Sequence, residues 1–396
     1  MSADTERLIE TLCEPVLHPR AAAREAQQPG RPRMSWREEL VTCVLATWLI
    51  EGLTMDAWAH TNQTKLETVV TPWHALFYGG FFATASWILW RIWGNVKQGR
   101  SGLAAIPIGY GVALIGMGLF FLSGVGDQIW HAVFGIERSL EAFLSPTHLL
   151  LVVGMALLVS APFRAMWSDP RPRNTSFLAL LPAVWSLALT VLLLSLFGDY
   201  VVIFASDLPT ISQEAFAAHF PGNAPPPLLD VLSARFQVQG VVMLYVTNLL
   251  LMVPVLLGLR RWRLPFGSIT FMWTLIIASD LVAYQYNRAW TLVAVVLGGL
   301  VADYLVLRLR PSSDRVSMFR TFAALAPAGL WAMYFLVLAI AYNVGWPVEL
   351  AVGVGAIASM ITLILAYVMI PTPIRLLAEA EAEAPVATVE APVRAG

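Results

Sequence analysis

The sequence predicts an all-α, polytopic integral membrane protein: a helix bundle with about ten transmembrane helices and both termini in the cytoplasm. Three observations support this fold class. Of the 396 residues, 58% are hydrophobic and only 13% are charged, whereas about 25% of a typical soluble domain is charged. Apolar runs close to the roughly 20 residues that cross a bilayer recur along the chain. Lysine and arginine concentrate in alternate connections between these runs.

The apolar runs define the predicted helices and the organisation of the chain. They cover about residues 38–58, 72–93, 103–126, 146–166, 176–198, 236–258, 265–286, 289–309, 321–343 and 348–370. We divide the chain into a tail (1–36), a four-helix metal-binding region (37–170), a further six-helix region (171–371) and a low-complexity tail (372–396). Residues 1–36 are polar and lack the apolar core of a signal peptide, so we expect a disordered cytoplasmic tail.

The distribution of lysine and arginine predicts how the chain is oriented in the membrane. The N-terminal tail and the connections after the second, fourth, sixth and eighth segments are basic, and the other connections are nearly free of lysine and arginine. Since short cytoplasmic loops are enriched in these residues, both termini and the basic connections should face the cytoplasm of the plasma (inner) membrane. The net charge of −1 gives no indication of a nucleic-acid partner, and the lipid bilayer is the expected surrounding. Cys13 and Cys43 are too few for a disulfide framework.

An internal repeat contains most of the histidines. Its first copy comprises Asp56, His60, Glu67, Thr71, Pro72 and His74. Its second copy comprises Asp127, His131, Glu141, Ser145, Pro146 and His148. Four of the six histidines of the chain lie in these two copies, each of which combines Asp-x-x-x-His with a later Ser/Thr-Pro-x-His.

Helix geometry predicts that each copy forms one cluster of side chains. Residues four apart lie on the same face of a helix, so each Asp-x-x-x-His pair should meet at the outer end of its helix. Ser/Thr-Pro is a helix-start signal, which places the later histidine in the first turn of the next helix at the same level. Each hairpin should therefore bring one carboxylate and two imidazoles together, with Glu67 or Glu141 in or near the loop.

Two histidines and a carboxylate are a ligand set that suits copper, zinc or non-haem iron. The ligand pattern contains no Cys or Met, so a path for Cu(I) is not indicated. The alternative is that the Asp–His pairs are interfacial hydrogen bonds that only steady the hairpins. The occurrence of two copies with matching helix-start signals favours metal.

The motifs resemble those of one membrane subunit of the copper membrane monooxygenases, the particulate methane and ammonia monooxygenases. The resemblance covers about residues 50–155 and consists of Asp127-Gln-Ile-Trp-His131, Ser145-Pro-Thr-His148 and the aromatic pair Phe77-Tyr78 after His74. It implies two neighbouring sites at the outer membrane face, one of Asp56, His60 and His74 and the other of Asp127, His131 and His148. It also implies one or two copper ions, with iron or zinc less favoured, partner membrane subunits and oxygen activation on a small apolar substrate.

Other functions stay open at this point. Glu51, five residues before Asp56, is a possible additional ligand, proton relay or buried structural hydrogen-bond partner. Asp280 and Asp303, in later predicted helices, could form structural pairs or line a cavity between helices. The chain is an oxidase or monooxygenase if it is an enzyme; a transition-metal transporter or metal-loading protein, which would move a metal ion, is the first alternative. A non-catalytic assembly subunit with structural metal sites, in a homo-oligomer or with partner subunits, is the second.

Overall fold

The computed structural model describes residues 30–63, 71–135, 144–169, 176–197, 202–212 and 226–371. These ranges contain helices and no β-strand. The α-helices are α1 (Trp36–Asn62), α2 (Pro72–Lys97), α3 (Gly111–Phe134), α4 (Pro146–Val159), α5 (Ala161–Trp167), α6 (Phe177–Phe197), α7 (Pro226–Arg261), α8 (Ser268–Ala283), α9 (Thr291–Leu309), α10 (Val316–Ala341) and α11 (Val348–Met369). Short 3-10 helices cover Gly102–Ala105, Ile203–Ala205 and Leu208–Thr210.

The described helices confirm a multi-pass membrane helix bundle. Seven of them, namely α1, α3, α6, α7, α9, α10 and α11, are long and apolar enough to cross a membrane. The consecutive helices α4 and α5, bent by 42° at their junction, make an eighth if they form one span. Helices α2 and α8 are not among these seven, so the count of about ten spans stays a prediction. The cytoplasmic position of both termini also stays a prediction. The domain boundaries also stay predictions, and most of both predicted tails lies outside the described residues.

The third helix differs from its predicted position. It begins at Gly111 and not near residue 103, and it continues to Phe134. Pro107 lacks an N–H group, and Gly109 has a φ of 88°, so the chain before Gly111 turns instead of continuing a helix. Gly109 also lies against the backbone of Ala165, where an added Cβ would be 2.5 Å from the Ala165 nitrogen. Because α3 ends at Phe134 and not near residue 126, Asp127 and His131 lie in its last turns.

Two helical hairpins, α1–α2 and α3–α4, form the N-terminal part of the bundle. Glycines allow the helices of each hairpin to approach closely. A Cβ on Gly80 of α2 would lie 2.5 Å from the Cα of Leu49 in α1, and one on Gly116 of α3 would lie 2.6 Å from the carbonyl oxygen of Gly154 in α4. Small residues at such positions are typical of helix packing in membranes.

Aromatic rings join the two hairpins. Phe120 of α3 stacks on Phe81 of α2 with ring centroids 4.0 Å apart, and it also contacts Phe77 edge-on at 5.5 Å. All three side chains are buried. Aromatic pairs at these separations stabilise a contact beyond their buried area, so this cluster fixes α2 against α3.

The remaining helices pack on the first hairpin through α6 and α8. Helix α6 contacts both α1 and α8, helices α8 to α11 pack in chain order, and α7 contacts α11. The core of this region includes the fully buried Trp273 and Trp331. Their indole nitrogens donate hydrogen bonds to the Leu251 carbonyl and the Asn248 side chain, which satisfies both buried donors.

Asp303 of α9 caps the start of α8. One carboxylate oxygen accepts a hydrogen bond from the Ile269 backbone at 3.1 Å, and the other accepts from the backbone and hydroxyl of Thr270 at 3.1 and 2.7 Å. Asp303 is fully buried. The sequence allowed two roles for it, a structural pair or the lining of a cavity, and the observed hydrogen bonds are those of a structural pair.

Replacing Asp303 with alanine is expected to lower the free energy of unfolding by about 1–3 kcal/mol, because two backbone N–H groups of α8 lose their buried acceptor. Thermal unfolding in detergent measures the change. Glu349→Ala, at an exposed acid in the first turn of α11, is the control and should change stability by less than about 1 kcal/mol. Equal effects of the two substitutions would contradict the capping role.

Candidate metal centre

The first cluster consists of Asp56 and His60 on α1 and His74 on α2. The Nε2 atoms of the two histidines are 3.4 Å apart. Oδ2 of Asp56 lies 3.4 Å from Nε2 of His74 and 3.8 Å from Nε2 of His60. Asp56 is buried, and both histidines are partly buried.

These three atoms fit a transition-metal ion. From the three distances, the centre of the triangle that the atoms form lies about 2.1 Å from each of them, which is the usual length of a metal–imidazole or metal–carboxylate bond. The 3.4 Å between the two Nε2 atoms fits a hydrogen bond if one ring carries its proton there, and it fits a shared cation if both nitrogens are unprotonated. The other carboxylate oxygen, Oδ1 of Asp56, is buried and has no hydrogen-bond partner among the described residues.

The second cluster consists of Asp127 and His131 on α3 and His148 on α4. Oδ2 of Asp127 lies 3.3 Å from Nε2 of His131, and Oδ1 lies 3.2 Å from Nε2 of His148. In each cluster, one ligand atom from every residue lies within 4.8 Å of the others. The structure brings together the three residues that the sequence grouped in each case, and their role as metal ligands stays a prediction.

Helix starts place the later histidine of each cluster as the sequence predicted. Helices α2 and α4 begin at Pro72 and Pro146. The preceding Thr71 accepts a hydrogen bond from the His74 backbone at 3.0 Å, and Ser145 accepts one from the His148 backbone at 3.3 Å. Each cap fixes the first turn of its helix and so positions the histidine opposite the aspartate of the preceding helix.

Hydrogen bonds orient the ligands of the second cluster. Nδ1 of His131 donates to the Gly135 carbonyl at 3.2 Å, which leaves the lone pair of Nε2 of the neutral ring toward the cluster. Nδ1 of His148 lies 2.8 Å from the Ser145 hydroxyl. The Thr147 hydroxyl donates to Oδ1 of Asp127 at 2.8 Å. Such outer partners hold metal ligands in their binding orientation.

Gly135 ends α3 with a φ of 84°, a conformation that glycine adopts without strain. Its N–H bonds the His131 carbonyl at 3.0 Å while its own carbonyl accepts from the His131 ring. The sequence pattern gave no indication of a role for Gly135 or Thr147. The available signal was a difference between the two copies, because Thr64 and Trp73 occupy the corresponding positions of the first copy.

In the first cluster, Oδ1 of Asp56 has no counterpart of the Thr147 hydroxyl among the described residues. Trp73 occupies the position of Thr147, and its indole nitrogen faces Gln63 at 3.4 Å, not Asp56. The described contacts of His60 reach only Asp56 and His74 through its Nε2 atom and its ring. The His60 side chain is 31% exposed, compared with 12% for His131.

Tyr78, one turn after His74, lies between the clusters. It interacts electrostatically with both Asp56 and Asp127, and its ring centroid is 6.3 Å from that of His74. A Cβ on Gly124 of α3 would lie 3.5 Å from the Tyr78 ring, so the absence of a side chain there makes room for the tyrosine. The two clusters are close enough for His60 to interact electrostatically with both His131 and His148.

The structure describes contacts for some of the further acidic residues that the sequence singled out, and not for others. Glu51 points toward α8, where its carboxylate accepts a hydrogen bond from the Ser279 hydroxyl, so its observed contact lies outside the first cluster. Neighbouring Asp280 accepts a hydrogen bond from Ser195 at 2.9 Å. Glu67 and Glu141 lie outside the described residues, and their roles as ligands stay predictions.

In comparisons with known proteins, no protein-family model matches the chain, and neither a curated protein nor a solved structure matches it. The family resemblance drawn from the motifs therefore stays an expectation. The description that the geometry supports is a multi-pass membrane protein with two clusters of aspartate and histidine, each able to hold a metal ion.

Proposed function

We propose that this chain is a membrane copper protein that binds one ion in each cluster and activates oxygen on a small apolar substrate. The observation that supports metal binding most directly is the geometry of the first cluster, whose three ligand atoms are all about 2.1 Å from one central point. The same residue types meet in the second cluster. Asp56 and Asp127 are buried within the bundle, and ionisable residues buried in membrane helices are often functional.

Copper is the proposed metal for two reasons. At sites of nitrogen and oxygen ligands, divalent copper binds more tightly than iron or zinc. The motifs also resemble those of the copper membrane monooxygenases. Two imidazoles and one carboxylate leave coordination positions open, and copper bound in such a site supplies oxygen chemistry.

The protein groups would hold and surround the metal. Nε2 of each histidine and one oxygen of each aspartate provide the bonds, and the antiparallel hairpin fixes their separation. Tyr78 and the neighbouring Phe77 and Phe120 provide an aromatic, apolar surrounding beside the first cluster, which suits a small apolar substrate. The proposal also includes partner membrane subunits or further copies of this chain. It places both clusters on the extracytoplasmic side.

Metal transport is the second candidate function. One observation favours it: Glu51 of α1 and Asp280 of α8 both make hydrogen bonds between helices of the bundle. Glu51 lies five residues before Asp56 on α1, and so farther from the helix end that bears the first cluster. Their hydroxyl partners, Ser279 and Ser195, would provide further oxygen ligands along such a path. The two functions differ in whether the ion stays in its cluster.

Elemental analysis of protein purified in detergent tests metal binding, with an expected content of two copper ions per chain after copper loading. Copper-dependent oxygen consumption in the presence of a small apolar substrate would support the enzyme. Copper accumulation in vesicles that contain the protein, without oxygen consumption, would support transport. Absence of bound copper, iron and zinc in folded protein after loading with each metal would refute the metal proposal and leave the Asp–His contacts as structural.

A further inference from the structure

We propose that an ion in one cluster repels an ion in the other, so that the chain binds its second copper ion more weakly than its first. This inference rests on the proposed function, since it requires that both clusters bind metal. It gives the pair a regulatory property: at limiting copper most chains hold one ion, and both clusters fill only when more copper is present.

A short path of contacts through Tyr78 connects the two clusters. The Tyr78 ring centroid lies 6.3 Å from that of His74, a ligand of the first cluster. A Cβ added to Gly124 of α3 would lie 3.5 Å from the same tyrosine ring. Asp127 of the second cluster follows Gly124 by three residues, about 4.5 Å along the helix. The two clusters therefore lie within about 20 Å of each other.

Buried aromatic side chains fill the contact between the hairpins that bear the clusters. Phe120 of α3 stacks on Phe81 of α2 at 4.0 Å, and its ring centroid is 5.9 Å from that of Tyr78. Phe81 and Phe120 are buried, so water is excluded from this contact. Charges on its two sides interact more strongly than charges in water, and salt screens them less.

Electrostatic interactions extend from one cluster to the other. His60 of the first cluster interacts with both histidines of the second, and Tyr78 interacts with the aspartates of both clusters. A cluster without an ion carries one negative charge, because its imidazoles are neutral when they can bind metal. A cluster that holds Cu²⁺ carries one net positive charge.

The first ion therefore binds beside a negative neighbour, and the second ion binds beside a positive one. Coulomb's law over this distance, with the contact partly closed to water, predicts a loss of affinity of about 10-fold or more. Couplings between two binding sites of one protein are typically about 5- to 150-fold.

The test compares wild-type protein with variants that each retain one cluster, in the same detergent. His131→Ala leaves the first cluster and His60→Ala leaves the second; His148→Ala and His74→Ala replace them if either variant does not fold. Each protein is titrated with Cu²⁺ against a chelator of known affinity. The product of the two wild-type binding constants should be about 10-fold or more below the product of the two single-cluster constants, because only the wild type holds both ions at once.

Asp127→Asn in the His131→Ala protein tests the electrostatic cause with a single ion. It removes the negative charge of the second cluster and leaves all three ligands of the first. The first cluster should then bind Cu²⁺ about threefold or more weakly. Glu349→Gln, which removes the same charge from an exposed acid at the start of α11, is the matched control and should leave that affinity unchanged.

The charge of the ion provides a further measurement. A cluster that holds Cu⁺ is neutral, so the coupling free energy should fall to about one quarter, and a 10-fold coupling with Cu²⁺ should become about twofold with Cu⁺ under anaerobic, reducing conditions.

The outcomes separate the two proposals. Equal products of binding constants in wild-type and single-cluster proteins, or tighter binding of the second ion, overturn the repulsion while metal binding stands. An unchanged affinity in Asp127→Asn, or equal coupling with Cu²⁺ and Cu⁺, overturns its electrostatic cause. Wild-type protein that is folded but binds no copper, iron or zinc refutes the proposed function itself.

Discussion

Replacing His131 with alanine is expected to remove one copper ion per chain and to leave the other ion bound. His60→Ala should have the same effect on the first cluster. Each substitution removes one of three ligands, so its cost exceeds the about 10- to 100-fold loss that follows from removing an outer partner. Elemental analysis of copper-loaded protein, together with the electron paramagnetic resonance spectrum of Cu²⁺, measures which ion is lost.

The matched control is His219→Ala, which changes a histidine outside both motifs and should leave two ions bound. Loss of both ions in either single variant would show that the clusters form one shared centre, contrary to two separate sites. The double variant, His60→Ala with His131→Ala, should bind no copper at these sites. Retention of two ions in the double variant would place the metal elsewhere in the chain.

Replacing Gly116 with valine is expected to disrupt the second hairpin and its metal site while the first site stays intact. The added Cβ would lie 2.6 Å from the Gly154 carbonyl oxygen and 2.8 Å from the Leu157 side chain, so α3 and α4 must separate. Overpacking of this kind costs about 1–3 kcal/mol or more. Separation also moves His148 away from Asp127, and the second copper ion should be lost.

Gly118 provides the control on the same helix, because a Cβ at Gly118 would have nothing within 4 Å. Gly118→Val has the same intrinsic helix cost but keeps the contact between α3 and α4. Thermal unfolding and copper content in the same detergent compare the two variants. Similar values for Gly116→Val and Gly118→Val would contradict the close packing of the hairpin.

The clusters could be predicted from the sequence because their determinants are local. The spacing of Asp127 and His131 places them on one helix face, and Ser145-Pro146 starts the next helix. A hairpin then closes the site without any information about distant parts of the fold. The all-helical membrane class was predictable for a similar reason, since apolar length and composition act on each segment separately.

Tertiary features could not be predicted in this way. Asp303 caps a helix that begins 35 positions earlier at Ser268, and no sequence spacing indicates which helix end a buried acid will face. The difference between Thr147 and Trp73 was visible in the sequence, but its meaning depends on the side chain that lies opposite. The contact of Glu51 with Ser279 likewise depends on how α8 packs against α1.

The short helix α8 has a consequence for how its end is covered. Its 16 residues rise about 24 Å, which is less than the roughly 30 Å hydrocarbon thickness of a bilayer. Helix α8 packs against α1, α6 and α9, so protein surrounds much of its length. The turns that follow it reach α1, where Gln285 donates a hydrogen bond to Asn62 at 3.0 Å. This bond gives the polar groups at the end of the short helix a protein partner, which is what polar groups need wherever water is absent.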